Sequence, residues 1–200
     1  MLTPADPQQQ IIDTARSLFA AKGFYGASLN DIAKERGITK QAVLHHFGSK
    51  EKLYAAVLAE ISASMMAATQ DARTSQATPV EQLRAIMFEV YQHTLDYPDA
   101  TKILMRELLD VERRANNVST WYLKPFLQEL TGVVCNITGD SEIDALGKVY
   151  PLMGIINYFA VSETVLSQIY GTRNFKALQK QTAKVFEQHT EIVINALVSE

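Results

Sequence analysis

The chain has 200 residues, of which 47% are apolar and 20% are charged, as is ordinary for a globular protein of one or two domains. The formal net charge is −3, yet up to Lys52 there are seven Lys or Arg against five Asp or Glu. A small basic N-terminal part therefore precedes an acidic remainder, so any attraction of the protein to a polyanion should be modest and strongly salt dependent.

Cysteine usage and hydropathy exclude two classes of protein. Cys135 is the single cysteine, which excludes an intrachain disulfide framework and fits a reducing cytoplasm. The N-terminus lacks the charged start and the following apolar run that are typical of a signal peptide. The most apolar stretch, 150–161, is too short to span a bilayer. We therefore expect a soluble, cytoplasmic protein that does not enter a membrane.

The first elements in the chain are predicted to be helices with N-caps. Asp6 caps a helix that has Pro7 at its first position, and Gly23 is expected to end it. Ser28 caps a second helix, because Asp31 three residues later completes a capping box and apolar residues follow at helical spacing. This second helix should run to about residue 36.

A third helix follows after a tight turn. Gly37 lacks a Cβ and can take the left-handed conformation that stops a helix, after which Thr39 caps the next helix over 40–47. Two short helices joined in this way predict a helix-turn-helix. In that motif the second helix lies in the DNA major groove, and its first residues meet base edges.

The open side of the 40–47 helix carries side chains that suit DNA. Val43 and Phe47 fall on the packed side. On the open side, Lys40 can bond a guanine edge or a phosphate, and Gln41 can pair twice with an adenine. A solvated face of a small helical bundle is the alternative reading of this one helix. With its flanks included, the predicted DNA contacts are Ser28, Thr39, Lys40, Gln41, Leu44, His45 and Lys50.

The flanking residues resemble a known family. The runs that carry the resemblance are AAKGF at 20–24, ASL at 27–29, IA at 32–33, GIT at 37–39 and HFGSKEKL at 46–53. They are similar to the N-terminal DNA-binding domain of the tetracycline-repressor (TetR) family of bacterial transcription regulators. The resemblance implies a helix-turn-helix DNA-binding domain over 1–52 and a helical ligand-binding and dimerisation domain over 53–200.

One position departs from that family. Where this chain has Leu44, the family usually has an aromatic residue, most often Tyr, whose hydroxyl contacts a DNA phosphate. Leu44 cannot make that hydrogen bond. Either the grip on the DNA backbone is weaker here, or Leu44 contacts a thymine methyl group instead.

The remainder is predicted to be helical as well. No stretch shows the alternation typical of strands, so the expected fold class is all-α. The predicted helices cover 51–70, 79–97, 100–114, 120–134 with a bend at Pro125, 141–170 with an interruption at Pro151, and 175–198.

The last two predicted helices are apolar over more of their circumference than a two-layer body requires. A helix of this kind is buried on more than one side. In the resembled family these two helices pair with their copies in a four-helix bundle, so the expected partner is a second copy of the chain. An ordinary monomer core is the alternative.

The middle of the chain carries methionine and aromatic residues that could line a binding site. Such stripes can also be plain core. The resemblance implies a small-molecule effector between these helices, in a mostly apolar pocket with a few polar groups. The predicted ligand-binding residues are Met87, Tyr91, Leu104, Trp121, Tyr122, Phe126, Met153 and Asn157.

These patterns predict a DNA-binding transcription regulator, specifically a homodimeric repressor released from a palindromic operator by a small, largely apolar ligand. A DNA-binding scaffold or regulator controlled by a protein partner is the alternative. An enzyme is not expected, because none of the histidines, at 45, 46, 93 and 189, has the i, i+4 partner of a helical metal site and no phosphate-binding glycine loop occurs. We expect no metal and no cofactor.

Overall fold

The computed structural model describes residues 6–75, 77–110 and 122–199. Within those ranges the chain is helical and contains no strand, which confirms the all-α prediction. The helices are α1 (Pro7–Gly26), α2 (Leu29–Arg36), α3 (Lys40–Phe47), α4 (Lys50–Ala68), α5 (Gln70–Thr74), α6 (Pro79–Asp96), α7 (Pro98–Leu109), α8 (Lys124–Thr138), α9 (Glu142–Val161), α10 (Glu163–Tyr170) and α11 (Thr172–Ser199).

Helix ends with strong local signals lie where the sequence predicts them. Asp6 caps α1 through its side chain, and α2 and α3 begin and end as expected. Gly23 differs in part. It leaves helical geometry with φ 73° and ψ 173°, but helical turns resume and α1 continues to Gly26. Gly23 therefore breaks the axis of α1 and does not end the helix.

The prolines in the second half of the chain act differently from the predictions. Pro125 was expected to bend a helix, but it lies in the first turn of α8, where its missing N–H costs nothing. Pro151 was expected to interrupt a helix, yet α9 runs through it and the break comes at Ser162. Leu152 and Met153 are buried beside Pro151, and their packing holds the helix together.

The chain divides into two compact units. Unit 1 comprises Met1–Ala63 and Asp99–Tyr122, and unit 2 comprises Ser64–Pro98 and Leu123–Glu200. These bounds differ from the predicted domains, 1–52 and 53–200, because a later segment that includes most of α7 joins the N-terminal helices. The division after residue 52 stays a prediction.

Unit 1 is built on an apolar core that the first four helices share. Phe19 packs edge-on against Tyr54, with 4.8 Å between the ring centres. The Tyr54 hydroxyl donates to Glu107 Oε1 over 2.8 Å in a buried hydrogen bond, which links α4 to α7. The buried apolar side chains of the first four helices in this unit are Ile11, Ala15, Phe19, Ala20, Ile32, Ala33, Val43, Leu53, Tyr54, Val57 and Ile61.

Unit 2 is a helical bundle in which α6, α8, α9 and α11 contact one another. Two polar links join its helices. His93 Nε2 lies 2.9 Å from Ser64 Oγ, and Arg84 donates to Glu191 Oε2 over 2.9 Å. The fully buried side chains include Leu83, Ile86, Met87, Val90, Phe126, Leu130, Val134, Val149 and Ile194.

No single helix in the described part of the chain has both the length and the apolar character to cross a bilayer. The pair α9 and α10 meets that test together by length and composition, but it is bent by 54°.

Candidate nucleic-acid interface

Local hydrogen bonds define α2 at both ends. The Ser28 hydroxyl oxygen accepts from the Asp31 N–H over 3.1 Å, and the Ser28 N–H and hydroxyl both donate to Asp31 Oδ2, over 3.1 and 2.9 Å. These two bonds to the carboxylate hold the pKa of Asp31 below its ordinary value. At the other end Gly37 adopts φ 73°, and the Ile38 N–H reaches the Ala33 carbonyl over 2.9 Å. The turn of the motif is therefore encoded within these few residues.

The start of α3 is equally local. Thr39 Oγ1 accepts from the Ala42 N–H over 3.1 Å, which caps the helix. Val43 is fully buried, and Ala42 and Phe47 are half-buried, so these three residues form the packed side of α3. The core of unit 1 thereby fixes which side of the helix faces solvent.

The opposite side of α3 holds the predicted base-reading residues. Lys40, Gln41 and His45 are exposed, and Leu44 is half-buried. The His45 ring lies edge-on to the half-buried His46 ring, with 5.7 Å between the ring centres. These side chains share one open face about one helix wide, which matches the width of the major groove.

Two of the predicted hydroxyl contacts differ in what they can offer a phosphate. Ser28 already gives both of its donors to Asp31, so a phosphate would have to compete with the capping box. Thr39 uses only its oxygen as an acceptor, which leaves its O–H able to donate. Thr39 is therefore the better placed hydroxyl of the two.

Lys50 lies at the start of α4 beside an aromatic group. Its Nζ is 4.4 Å from the centre of the Phe24 ring, within the range of a cation–π interaction. The Tyr25 ring meets Phe24 edge-on at 5.3 Å, and Tyr25 is 71% exposed. Sequence reasoning did not select Tyr25. The available signal was Gly23, since a glycine two residues earlier can turn the chain and project the next side chains outward.

The predicted ligand-binding residues do not fall in one unit. Met87, Tyr91, Phe126 and Met153 are buried in unit 2, and Asn157 there is half-buried. Leu104 and Tyr122 belong to unit 1, and Trp121 lies outside the described residues.

Tyr91 has a distinctive environment within unit 2. Its ring stacks on Phe186 with 5.0 Å between the ring centres. Its hydroxyl is buried and, among the described residues, has no hydrogen-bond partner. Burial, with a smaller contribution from Glu187, raises the pKa of this phenol, so Tyr91 is a neutral group that can donate one hydrogen bond.

Metal-binding side chains do not cluster in the part of the chain that the structure describes. No group of three or more His, Cys, Asp or Glu residues there is arranged to hold a metal ion.

Comparison with known proteins identifies the N-terminal helices. Residues 11–57 match the family of bacterial regulatory proteins named tetR, a segment that contains all of α2 and α3. The N-terminal part of the chain is therefore similar to this family of regulators, and the matched segment carries the open face of α3.

Individual transcription regulators match part of the chain. The chain is 39% identical over 62 residues to the HTH-type transcriptional repressor AcnR of Corynebacterium efficiens, covering 31% of this chain and 33% of AcnR. It is 28% identical over 127 residues to the HTH-type transcriptional regulator RutR of Escherichia coli strain K12, covering 64% and 59%. In each case the match spans less than two thirds of the relative.

The fold extends over the whole chain. A TetR-like transcriptional regulator from Rhodococcus sp. RHA1 superimposes with a TM-score of 0.65 at 21% identity, covering 100% of this chain and 95% of that one. Likeness at this level of identity shows the fold alone.

Proposed function

We propose that this protein is a transcriptional repressor that binds a palindromic DNA operator as a homodimer and is released by a small, largely apolar ligand. The observation that supports this most strongly is the exposed polar face of α3 within a TetR-family helix-turn-helix. A helix of this width enters the major groove, where Lys40 reads guanine or holds a phosphate and Gln41 reads adenine.

DNA recognition by this motif calls for two copies. One helix of eight residues contacts only a few base pairs, which gives little discrimination against the rest of a genome. A two-fold dimer places a second α3 at a half-site about one helical turn, roughly 34–36 Å, away. The operator is therefore a palindrome.

Unit 2 offers a surface for this dimer. Along α9 an exposed stripe recurs at intervals of three or four residues, and it is apolar or small: Ile143, Gly147, Tyr150, Gly154 and Tyr158. On α11, Ile192 and Val198 are also exposed, by 64% and 60%. Large apolar side chains left open along two long helices support burial against a second copy.

The dimer is tested by placing a charge on this surface. Tyr158→Asp and Ile192→Asp should each shift the protein from dimer to monomer in sedimentation equilibrium, because a buried carboxylate without a partner is strongly disfavoured. Phe88→Asp is the matched control, since Phe88 is 48% exposed on α6 and belongs to neither of these two helices. A wild-type protein that stays monomeric at micromolar concentration would contradict the proposal.

A ligand site in unit 2 is supported by the buried Tyr91 hydroxyl. Burying a hydroxyl without a hydrogen bond is costly, so a ligand that accepts a hydrogen bond from Tyr91 would recover part of that cost. The Phe186 ring stacked on Tyr91, and the buried Met87 one helical turn earlier on α6, favour an otherwise apolar molecule. A ligand can reduce DNA affinity at most by the ratio of its own affinities for two conformations of the protein. DNA reduces ligand affinity by the same factor as the ligand reduces DNA affinity.

Selection of bound duplexes from random DNA with the purified protein tests DNA binding. We expect a palindromic consensus. Lys40→Ala or Gln41→Ala should then relax preference at particular base pairs by about 1–3 kcal/mol each, whereas Lys50→Ala should weaken all duplexes alike and flatten the salt dependence. Failure to enrich any consensus would refute the proposal.

A screen of small apolar compounds for release of the selected duplex tests the ligand. Tyr91→Phe serves as the variant that should lose sensitivity to compounds that accept a hydrogen bond, while its DNA affinity stays unchanged. If no compound alters DNA affinity, control by a protein partner becomes the better interpretation.

A further inference from the structure

We propose that the Tyr25 hydroxyl donates a hydrogen bond to a phosphate of the bound DNA and forms, with Lys50, a two-residue backbone clamp at the edge of the helix-turn-helix. This inference rests on the proposed function, because it assigns a further contact to the same DNA-binding surface. It adds a residue outside α2 and α3.

The backbone of α1 projects Tyr25 away from the core. At Gly23, φ 73° and ψ 173° lie in a region that is essentially restricted to glycine. The Ala27 N–H bonds the Gly23 carbonyl over 3.2 Å and closes the turn that carries Tyr25. Tyr25 then stands three residues before Ser28, the N-cap of α2, on the chain that leads into the motif.

An aromatic platform orients both members of the clamp. The Phe24 ring packs edge-on against the buried Tyr54 at 5.1 Å and lies near the buried Phe19 at 6.2 Å, so it is anchored in the core of unit 1. Lys50 Nζ lies 4.4 Å and the Tyr25 ring centre 5.3 Å from the Phe24 ring centre. The ammonium group and the Tyr25 ring centre are therefore no more than about 10 Å apart, close enough to contact one short run of DNA backbone.

The chemistry of the pair suits phosphate. Tyr25 is 71% exposed, and among the described residues its hydroxyl has no hydrogen-bond partner. A phenol presents a donor on a ring with few rotatable bonds, and tyrosine is among the side chains that bond DNA phosphates. Lys50 supplies the charge, whereas Tyr25 supplies a directed neutral donor. Leu44 on α3 offers neither.

Tyr25→Phe tests the hydroxyl while keeping the ring on Phe24. Fluorescence anisotropy should show about tenfold weaker binding both to the selected palindrome and to random duplex, as expected for one hydrogen bond to a charged group. The ratio of the two affinities should not change, because a phosphate contact carries no sequence information. The salt slope should also stay the same, since a neutral donor releases no counterion.

Two controls separate this role from a structural one. Tyr97→Phe removes the hydroxyl of another tyrosine, 48% exposed at the end of α6, and should leave DNA affinity unchanged. The second control is a series of duplexes, each with a neutral methylphosphonate in place of one phosphate. At one position in this series, Tyr25→Phe should cause no further loss of DNA affinity. That position identifies the phosphate.

Three results would overturn the clamp. Unchanged affinity in Tyr25→Phe, an equal loss in Tyr97→Phe, or a loss confined to the palindrome would each exclude a phosphate bond from Tyr25, while DNA binding by the wild-type protein would leave the proposed function standing. If the wild-type protein binds no duplex at all, the proposed function fails and the clamp fails with it.

Discussion

The helix-turn-helix of unit 1 and the long helices of unit 2 are specified in different ways. In unit 1, α2 and α3 are eight residues each, and a hydroxyl cap or a left-handed glycine defines most of their ends. In unit 2, α9 has 20 residues and runs through Pro151 without a break. Short helices depend on their caps because they have little packing surface, whereas long helices are held by tertiary contacts that can override a local signal.

The same contrast separates the two candidate sites. The predicted DNA contacts lie within 23 consecutive residues, 28–50, and the local structure presents most of them on one surface. The predicted ligand contacts come from segments far apart in sequence, and the structure assigns them to both units. A surface encoded locally can be recognised from sequence, while a site assembled from distant segments cannot.

Replacing the glycine that breaks α1 should give the largest effect. Gly23→Ala forces a side chain into a backbone region reserved for glycine, and its Cβ would meet Arg106 Nη1 at 3.2 Å. We expect a loss of about 1–3 kcal/mol in the free energy of unfolding, measured by urea denaturation. A loss below a few tenths of a kcal/mol would show that the break at Gly23 is not required, and that local signals matter less in unit 1 than the comparison indicates.

The dependence of stability on pH should test the packing of His93 in unit 2. Burial lowers the pKa of His93 below its ordinary 6.5, against a smaller opposing effect of Asp96. In the folded protein His93 therefore stays neutral, while in the unfolded chain it takes up a proton. The contribution of His93 to the free energy of unfolding is fully present above pH 6.5 and declines as the pH falls below that value. The slope for one such proton is at most about 1.4 kcal/mol per pH unit.

The measurement compares urea denaturation of wild type and His93→Gln at pH 7.5 and 5.5. We expect the wild type to lose more stability between the two conditions than the variant does, because the other titrating groups are common to both. Equal losses of stability would show that protonation of His93 does not destabilise the protein.

The smallest expected effect has the opposite sign. Gly132 lies in the interior of α8, is exposed, and has nothing within 4 Å of where a Cβ would stand. Gly132→Ala should raise the free energy of unfolding by about 0.5–1 kcal/mol, because alanine restricts the unfolded chain and fits a helix. Thermal unfolding of Gly132→Ala beside Gly23→Ala contrasts a dispensable glycine with a required one. If Gly132→Ala and Gly23→Ala both destabilise the protein, the contrast between a dispensable and a required glycine is wrong.

Errors of sequence reasoning fall where packing competes with local signals. Pro125 and Pro151 are both helix breakers by type, but one begins α8 and the other lies within α9, since position in the helix and buried neighbours decide the outcome. The last helix begins at Thr172, three residues before its predicted start. The sequence pattern also does not indicate that α7 joins unit 1, because it does so through contacts such as that between Tyr54 and Glu107, 53 residues apart.

By itself, the sequence determined that the chain is helical, where α2 and α3 begin and end, and which side of α3 is open, because caps, glycines and apolar spacing act over a few residues. Only the tertiary structure decided that Tyr25 stands exposed beside Lys50, that Tyr91 is buried with its hydroxyl unbonded among the described residues, and that α7 belongs with the N-terminal helices. Those features arise from side chains that meet across long separations in the chain, and a linear pattern does not encode which distant partner will fill each contact.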